Sequence, residues 1–264
     1  MSDEKVLTKE IAEQLVDGEP YGTDIKASGY AQVETLAASF IGRCGGGRGN
    51  VCDLSDLVTL NAQCARSLSS FGGSLILSSL AEISGDVALV LASQGSKVDL
   101  QYRGVEVESW SNITEDQGHL ALLKHVVQCA NEIEKPVVLP EVLRVPTKAA
   151  RVLGKSRSLT LGVESLDGKA AKALAKVLFL TLPRLELTHG VAKEWATGSR
   201  VLRLGRYIEL DRETAALLPH LIGGMGNLTL SSLECLGPDV AEVLGETKSL
   251  TLSKLTAISE GEVA

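Results

Sequence analysis

Aromatic side chains make up only 3% of this chain, so the core built by its 44% hydrophobic residues must be aliphatic, chiefly Leu, Val and Ala. Basic residues are also short. Lys and Arg number 26 against 33 Asp and Glu, leaving a net charge of -7 and a pI of about 5.3. This argues against nucleic-acid binding, which usually needs a basic face, and fits a soluble, dispersed protein. No apolar run reaches the roughly 18 to 20 residues of a membrane span, so no membrane partner is expected. The opening Met1-Ser2-Asp3-Glu4-Lys5 lacks the basic-then-apolar order of a signal peptide, and a cytoplasmic location is expected. The five cysteines (Cys44, Cys52, Cys64, Cys129 and Cys235) are odd in number and form no CxxC pair. They read as reduced, mostly structural thiols.

Material for chemistry is equally thin. His125 and Cys129 stand four apart on one helical face, which is half a metal site at best. His119, His189 and His220 are scattered, and no nucleophile has a base nearby in the sequence. The Gly-rich segment from Cys44 to Asn50 lacks the Gly-Lys-Ser/Thr ending of a phosphate loop and reads as a connector. No enzyme, cofactor or metal is expected.

What the chain does have is a period. A unit of about 22 residues recurs along almost its whole length. In the copy beginning at Leu228, apolar residues fall at offsets 0 and +2 (Leu228, Leu230), then at +5 and +8 (Leu233, Leu236). A turn residue follows at +9 (Gly237), then Ala at +13 (Ala241) and Leu at +16 (Leu244). The alternating start predicts a strand and the rest a helix, since side chains three apart share a helical face. Strand pairs are expected from Ile25, Cys52, Leu75, Val98, Val137, Leu159, Leu180, Leu202, Leu228 and Leu250. A half unit, Leu7 to Leu15, precedes them. The +9 residue is a helix-capping type at Thr8, Asn61, Ser84, Thr114, Asp167, Thr188, Asp211 and Ser259. The +13 residue is almost always Ala, which lets the helix lie close to the strands. Such a period predicts an α/β solenoid of about ten units, with a parallel sheet on one face and helices on the other. The expected organisation is an N-terminal helical cap over residues 1–24 and a repeat array over 25–264, with an insertion at about 102–133.

The pattern L-x-L-x-x-L-x-x-L followed by a capped A-x-x-L helix resembles the leucine-rich repeat family, in its helix-bearing, ribonuclease-inhibitor-like class. The resemblance covers residues 25 to 264 and implies a curved solenoid that binds proteins through its strand face. At +5, where that family usually has Asn or Cys, this chain has Tyr30, Leu57, Leu80, Val142, Leu185, Tyr207, Leu233 and Leu255. Its turns are therefore expected to be held by apolar packing.

Two places carry the functional expectation. One is the outward strand face, offsets +1 and +3, about 43 Å long if ten strands stack at ordinary spacing. Its distinctive charges are Asp53, Asp99 and Arg203. The other is the 39-residue unit opening at Val98, whose loop contributes Tyr102, Arg103 and Trp110, residue types common in binding hot spots. These six residues are the candidate contacts for a protein partner of a non-catalytic scaffold. The last unit stops before its +16 Leu, which also leaves room for self-assembly or homo-oligomer formation through an uncapped C-terminal end. An enzyme with a site at the insertion is the more distant alternative.

Overall fold

Each apolar pair at the head of a repeat forms a short strand, because residues two apart point to the same side of the backbone. The computed structural model of the chain describes residues 5–16, 24–44, 50–93, 105–106, 109–195, 201–205, 211–221, 227–247 and 249–258. The architecture is a repeating α/β alternation, divided into two compact units, residues 1–142 and 143–264.

The first unit runs β1 (Val6–Leu7), α1 (Lys9–Leu15), β2 (Ile25–Lys26), β3 (Gln32–Val33), α2 (Thr35–Cys44) and β4 (Val51–Asp53). It continues α3 (Ala62–Leu68), β5 (Ser74–Ile76), α4 (Gly85–Ser93), β6 (Val105–Glu106), α5 (Gln117–Glu132) and β7 (Val137–Leu139). Its sheet is parallel in the order β2-β4-β5-β6, and β1 pairs with β3 in a separate ladder. Helices α1 to α5 pack each against the next.

The second unit runs α6 (Thr147–Leu153), β8 (Ser158–Leu161), α7 (Gly168–Leu174), β9 (Phe179–Leu182), α8 (His189–Trp195) and β10 (Val201–Leu204). It continues α9 (Arg212–Leu221), β11 (Asn227–Leu230), β12 (Cys235–Leu236), α10 (Pro238–Leu244), β13 (Leu250–Leu252) and β14 (Ala257–Ile258). Its sheet is parallel in the order β8-β9-β10-β11-β13, with equivalent leucines in register: Leu159↔Leu180, Leu202↔Leu228, Leu228↔Leu250. Strands β12 and β14 form a second short ladder.

The inward rows are the core. Cys52, Leu54, Leu75, Leu77, Leu159, Leu161, Leu202, Leu204, Leu228 and Leu230 are fully buried. The +13 alanines Ala12, Ala38, Ala65, Ala88, Ala150, Ala171, Ala192 and Ala215 are equally covered, while Ala241 is half-buried. The apolar +5 residue explains how the chain turns without an Asn. Its N–H donates to the +2 carbonyl of its own coil, as from Leu57 to Leu54 (3.0 Å) and from Leu80 to Leu77 (3.2 Å). Its side chain then points into the core, where Leu57, Leu80, Val142, Leu185 and Leu233 are fully buried. One backbone bond closes the turn and one aliphatic side chain anchors it.

Helix starts follow the capping residues. The side chains of Thr8, Asn61, Ser84, Asp167, Thr188 and Asp211 each accept the backbone N–H three residues on. Gly237 and Pro146 cap without a side-chain bond, and Pro238 occupies the first helical position. Ser259 lies outside the described residues.

Two expectations are corrected. The residue in register with Leu75 is Val105, not Val98, which itself lies outside the described residues. The cap of α5 is Asp116, whose carboxylate accepts the His119 N–H, rather than Thr114. With the coil counted from Val105, Trp110 falls at +5, the core position of the turn.

Candidate interaction face on the strands

Of the six candidate contacts, Asp99, Tyr102 and Arg103 lie outside the described residues. Trp110 is buried at 0% exposure and cannot meet a partner, which corrects its reading as a contact residue. Its indole N–H donates to Asn112 Oδ1 (2.8 Å), and its ring meets His119 edge-on, centroids 5.2 Å apart. Asn112 in turn clasps the backbone of Ile83, accepting its N–H (3.1 Å) and donating to its carbonyl (3.3 Å).

His119 completes the same knot. Thr114 N–H donates to Nδ1 (2.9 Å), so the proton sits on Nε2, which donates to the Ile83 carbonyl (2.6 Å). The Asp116 carboxylate, 3.1 Å from Nδ1, accepts a hydrogen bond from the Thr114 hydroxyl instead. Burial works to raise the Asp116 pKa, but bonds from the Thr114 hydroxyl and the His119 N–H outweigh it and hold the carboxyl below its usual range. Segment 110–119 thus fastens one coil to the next around a single residue, Ile83, and every polar group named has a partner.

His125 and Cys129, half a metal site at best in the sequence, lie side by side. Both are buried on α5, with the sulfur 3.7 Å from Nε2. Among the described residues no group of three or more His, Cys, Asp or Glu could hold an ion. Burial lowers the His125 pKa by stripping water from the cation, and it pushes the Cys129 thiol up to about 11. This is the signature of a packed pair.

Asp53 is half-buried on β4, and its carboxylate accepts the Ser55 N–H (3.0 Å), so part of its capacity serves its own turn. Arg203 is different. It is exposed on β10 and lines a hollow of about 310 Å³ on the outward face of the second unit's sheet. The other lining residues are Thr181, Pro183, Leu204, Gly205, Ser231, Ser232 and Lys254. Gly205 is required there, because a Cβ at this position would stand 2.2 Å from the Pro183 carbonyl oxygen. Among the described residues no ion pair engages Arg203 or Lys254, and no carboxylate lines the hollow.

Sequence reasoning missed Phe179. Counting outward positions from +1 passed over the residue just before each strand pair, yet a period of two places it on the same face. Phe179 is 46% exposed and pairs in register with Val201, two residues before Arg203. The separation of Phe179 and Arg203 is then about 8 Å between Cα atoms, from strand rise and spacing. An exposed aromatic ring and a guanidinium lining a hollow are the residue types that anchor interfaces. The described face is small, about 19 Å across its strands at ordinary spacing. The chain matches no known family model and no curated protein.

Proposed function

We propose that this chain is a non-catalytic interaction scaffold, a solenoid of the leucine-rich-repeat type. Its working surface is the outward strand face of residues 143–264, and a cytoplasmic location belongs to the same reading. The observation that carries it is exposed Phe179 and exposed Arg203, two residues out of register on adjacent strands, with Arg203 lining the hollow. Size selects the kind of partner. A standard interface buries about 800 Å² on each side, whereas this face offers about 19 Å by 13 Å at ordinary strand dimensions. An extended protein segment fits that area better than a globular domain, with binding toward the transient end of the range.

A photo-crosslinking amino acid placed at Thr229, in register between Arg203 and Thr251 across the sheet, tests the reading in native lysate. Adducts with a discrete protein are expected from Thr229, and they should disappear in a Phe179→Ser, Arg203→Glu background. The same group at exposed Lys172 on α7 is the control. Equal adducts from both positions would remove the strand face as the working surface.

A further inference from the structure

We infer that the segment docking on this face is acidic, with carboxylates seated against Arg203 and Lys254 and an apolar side chain against Phe179; this rests on the interaction reading above. Three observations converge. Arg203 and Lys254 come from different strand-turn segments yet line one hollow of about 310 Å³. The remaining polar lining is hydroxyl, from Thr181, Ser231 and Ser232, and hydroxyls can donate to a carboxylate as readily as guanidinium and ammonium groups do. No carboxylate of the hollow neutralises the two cations, although the whole chain carries a charge of -7.

That last contrast decides the sign. In an acidic protein, two cations with no ion pair among the described residues, beside an exposed ring, form a local field opposite to the global one. Within about 8 Å at physiological salt the local charges dominate, because more distant ones are screened. A basic segment would meet repulsion here, and a neutral one would leave both cations without a counterpart. An aliphatic or aromatic residue about 8 Å from the carboxylate would cover Phe179, by the same strand geometry that separates Phe179 from Arg203.

The experiment is display selection of a random twelve-residue peptide library on the full chain, in parallel with the Arg203→Glu/Lys254→Glu variant. A milder Arg203→Gln/Lys254→Gln variant guards against misfolding, and both variants are checked by thermal melting. Peptides enriched on the native chain should carry an excess of Asp and Glu beside an apolar residue. That excess should vanish on the Gln variant and turn basic on the Glu variant. The best peptide, resynthesised with a fluorophore, should bind the Gln variant about tenfold more weakly, as expected for two partly exposed ion pairs. Enriched peptides without acidic excess, but lost on Phe179→Ser, would overturn the acidic preference and leave the docking face standing. No enrichment above the bare support would overturn both.

Discussion

An alanine with no exposed surface cannot grow without moving its neighbours. Ala192 and Ala215 are both at 0% exposure, one on α8 and one on α9. Ala192→Leu or Ala215→Leu should therefore cost about 1 to 3 kcal/mol by overpacking. Ala216→Leu, one residue along and exposed, should stay within about 0.5 kcal/mol of the native chain. Urea denaturation of the three variants separates these outcomes. His125 supplies a pH prediction. Its pKa lies below the ordinary 6.5 because burial disfavours the cation, so below that pH the unfolded chain binds the proton more readily. The stability it contributes is present above about pH 6.5 and lost as the pH falls through the lowered folded value. Thermal melts at pH 7.5, 6.5 and 5.5 should show a fall that His125→Gln makes shallower. An unchanged slope in that variant would place the acid sensitivity of this pH range outside His125, since Asp116 and Asp211 contribute only at lower pH, from the ordinary carboxylate range downward. Hydrogen bonds hold both carboxyls low, those at Asp211 coming from the backbone N–H and hydroxyl of Thr214.

At the scale of elements, helix ends are the adjustable parts. Glu134 follows α5 with φ 55°, a left-handed conformation in which a side chain is strained, and the next N–H, of Lys135, bonds back to Ala130 (2.9 Å). This is the position where glycine is normally found. Glu134→Gly should stabilise the chain by about 0.5 to 1 kcal/mol, whereas Asp167→Ala, which removes the cap of α7, should cost about 1 kcal/mol. Guanidinium unfolding checks both signs. The caps were legible in the sequence because a side chain that accepts an N–H three residues on is a local device, read from one residue and its offset. The apolar rows were legible for the same reason. The unit after Leu75 was not, because Val98 with Leu100 and Val105 with Val107 both alternate, and local pattern cannot choose between them. Strand pairing with β5 chooses Val105. The choice turns Trp110 from a surface residue into a core one, so a single register decision removed one of the six expected contacts. Phe179 escaped for a simpler reason: its exposure depends on what its neighbours leave uncovered, which no offset records.

At the scale of the whole molecule, the thiols report on opening. Cys44, Cys52, Cys64 and Cys129 are buried, and Cys235 is exposed. Burial pushes the Cys52 thiol up to about 12, so little reactive thiolate forms there at neutral pH. Iodoacetamide at pH 8 followed by mass spectrometry should modify Cys235 first. Cys52, Cys64 and Cys129 should follow only as denaturant unfolds the first unit. Early labelling of Cys52 would mean that β4 opens well before global unfolding. The strands of the second unit are also graded: Leu228 and Leu230 are fully covered, while Leu250 and Leu252 of β13 are half-buried. Hydrogen exchange should be slowest at β9 to β11 and fastest at β13.

The turn described for each coil bears on how such a chain changes over generations. A turn that depends on one polar side chain is lost with that residue. A turn closed by backbone and filled by bulk accepts Leu at 57, 80 and 185 and Val at 142, and the same buried position holds Leu at 233 and Trp at 110. Lineages built this way can exchange nearly every letter of the repeat and keep its geometry, so their kinship would survive in spacing long after it had faded from spelling.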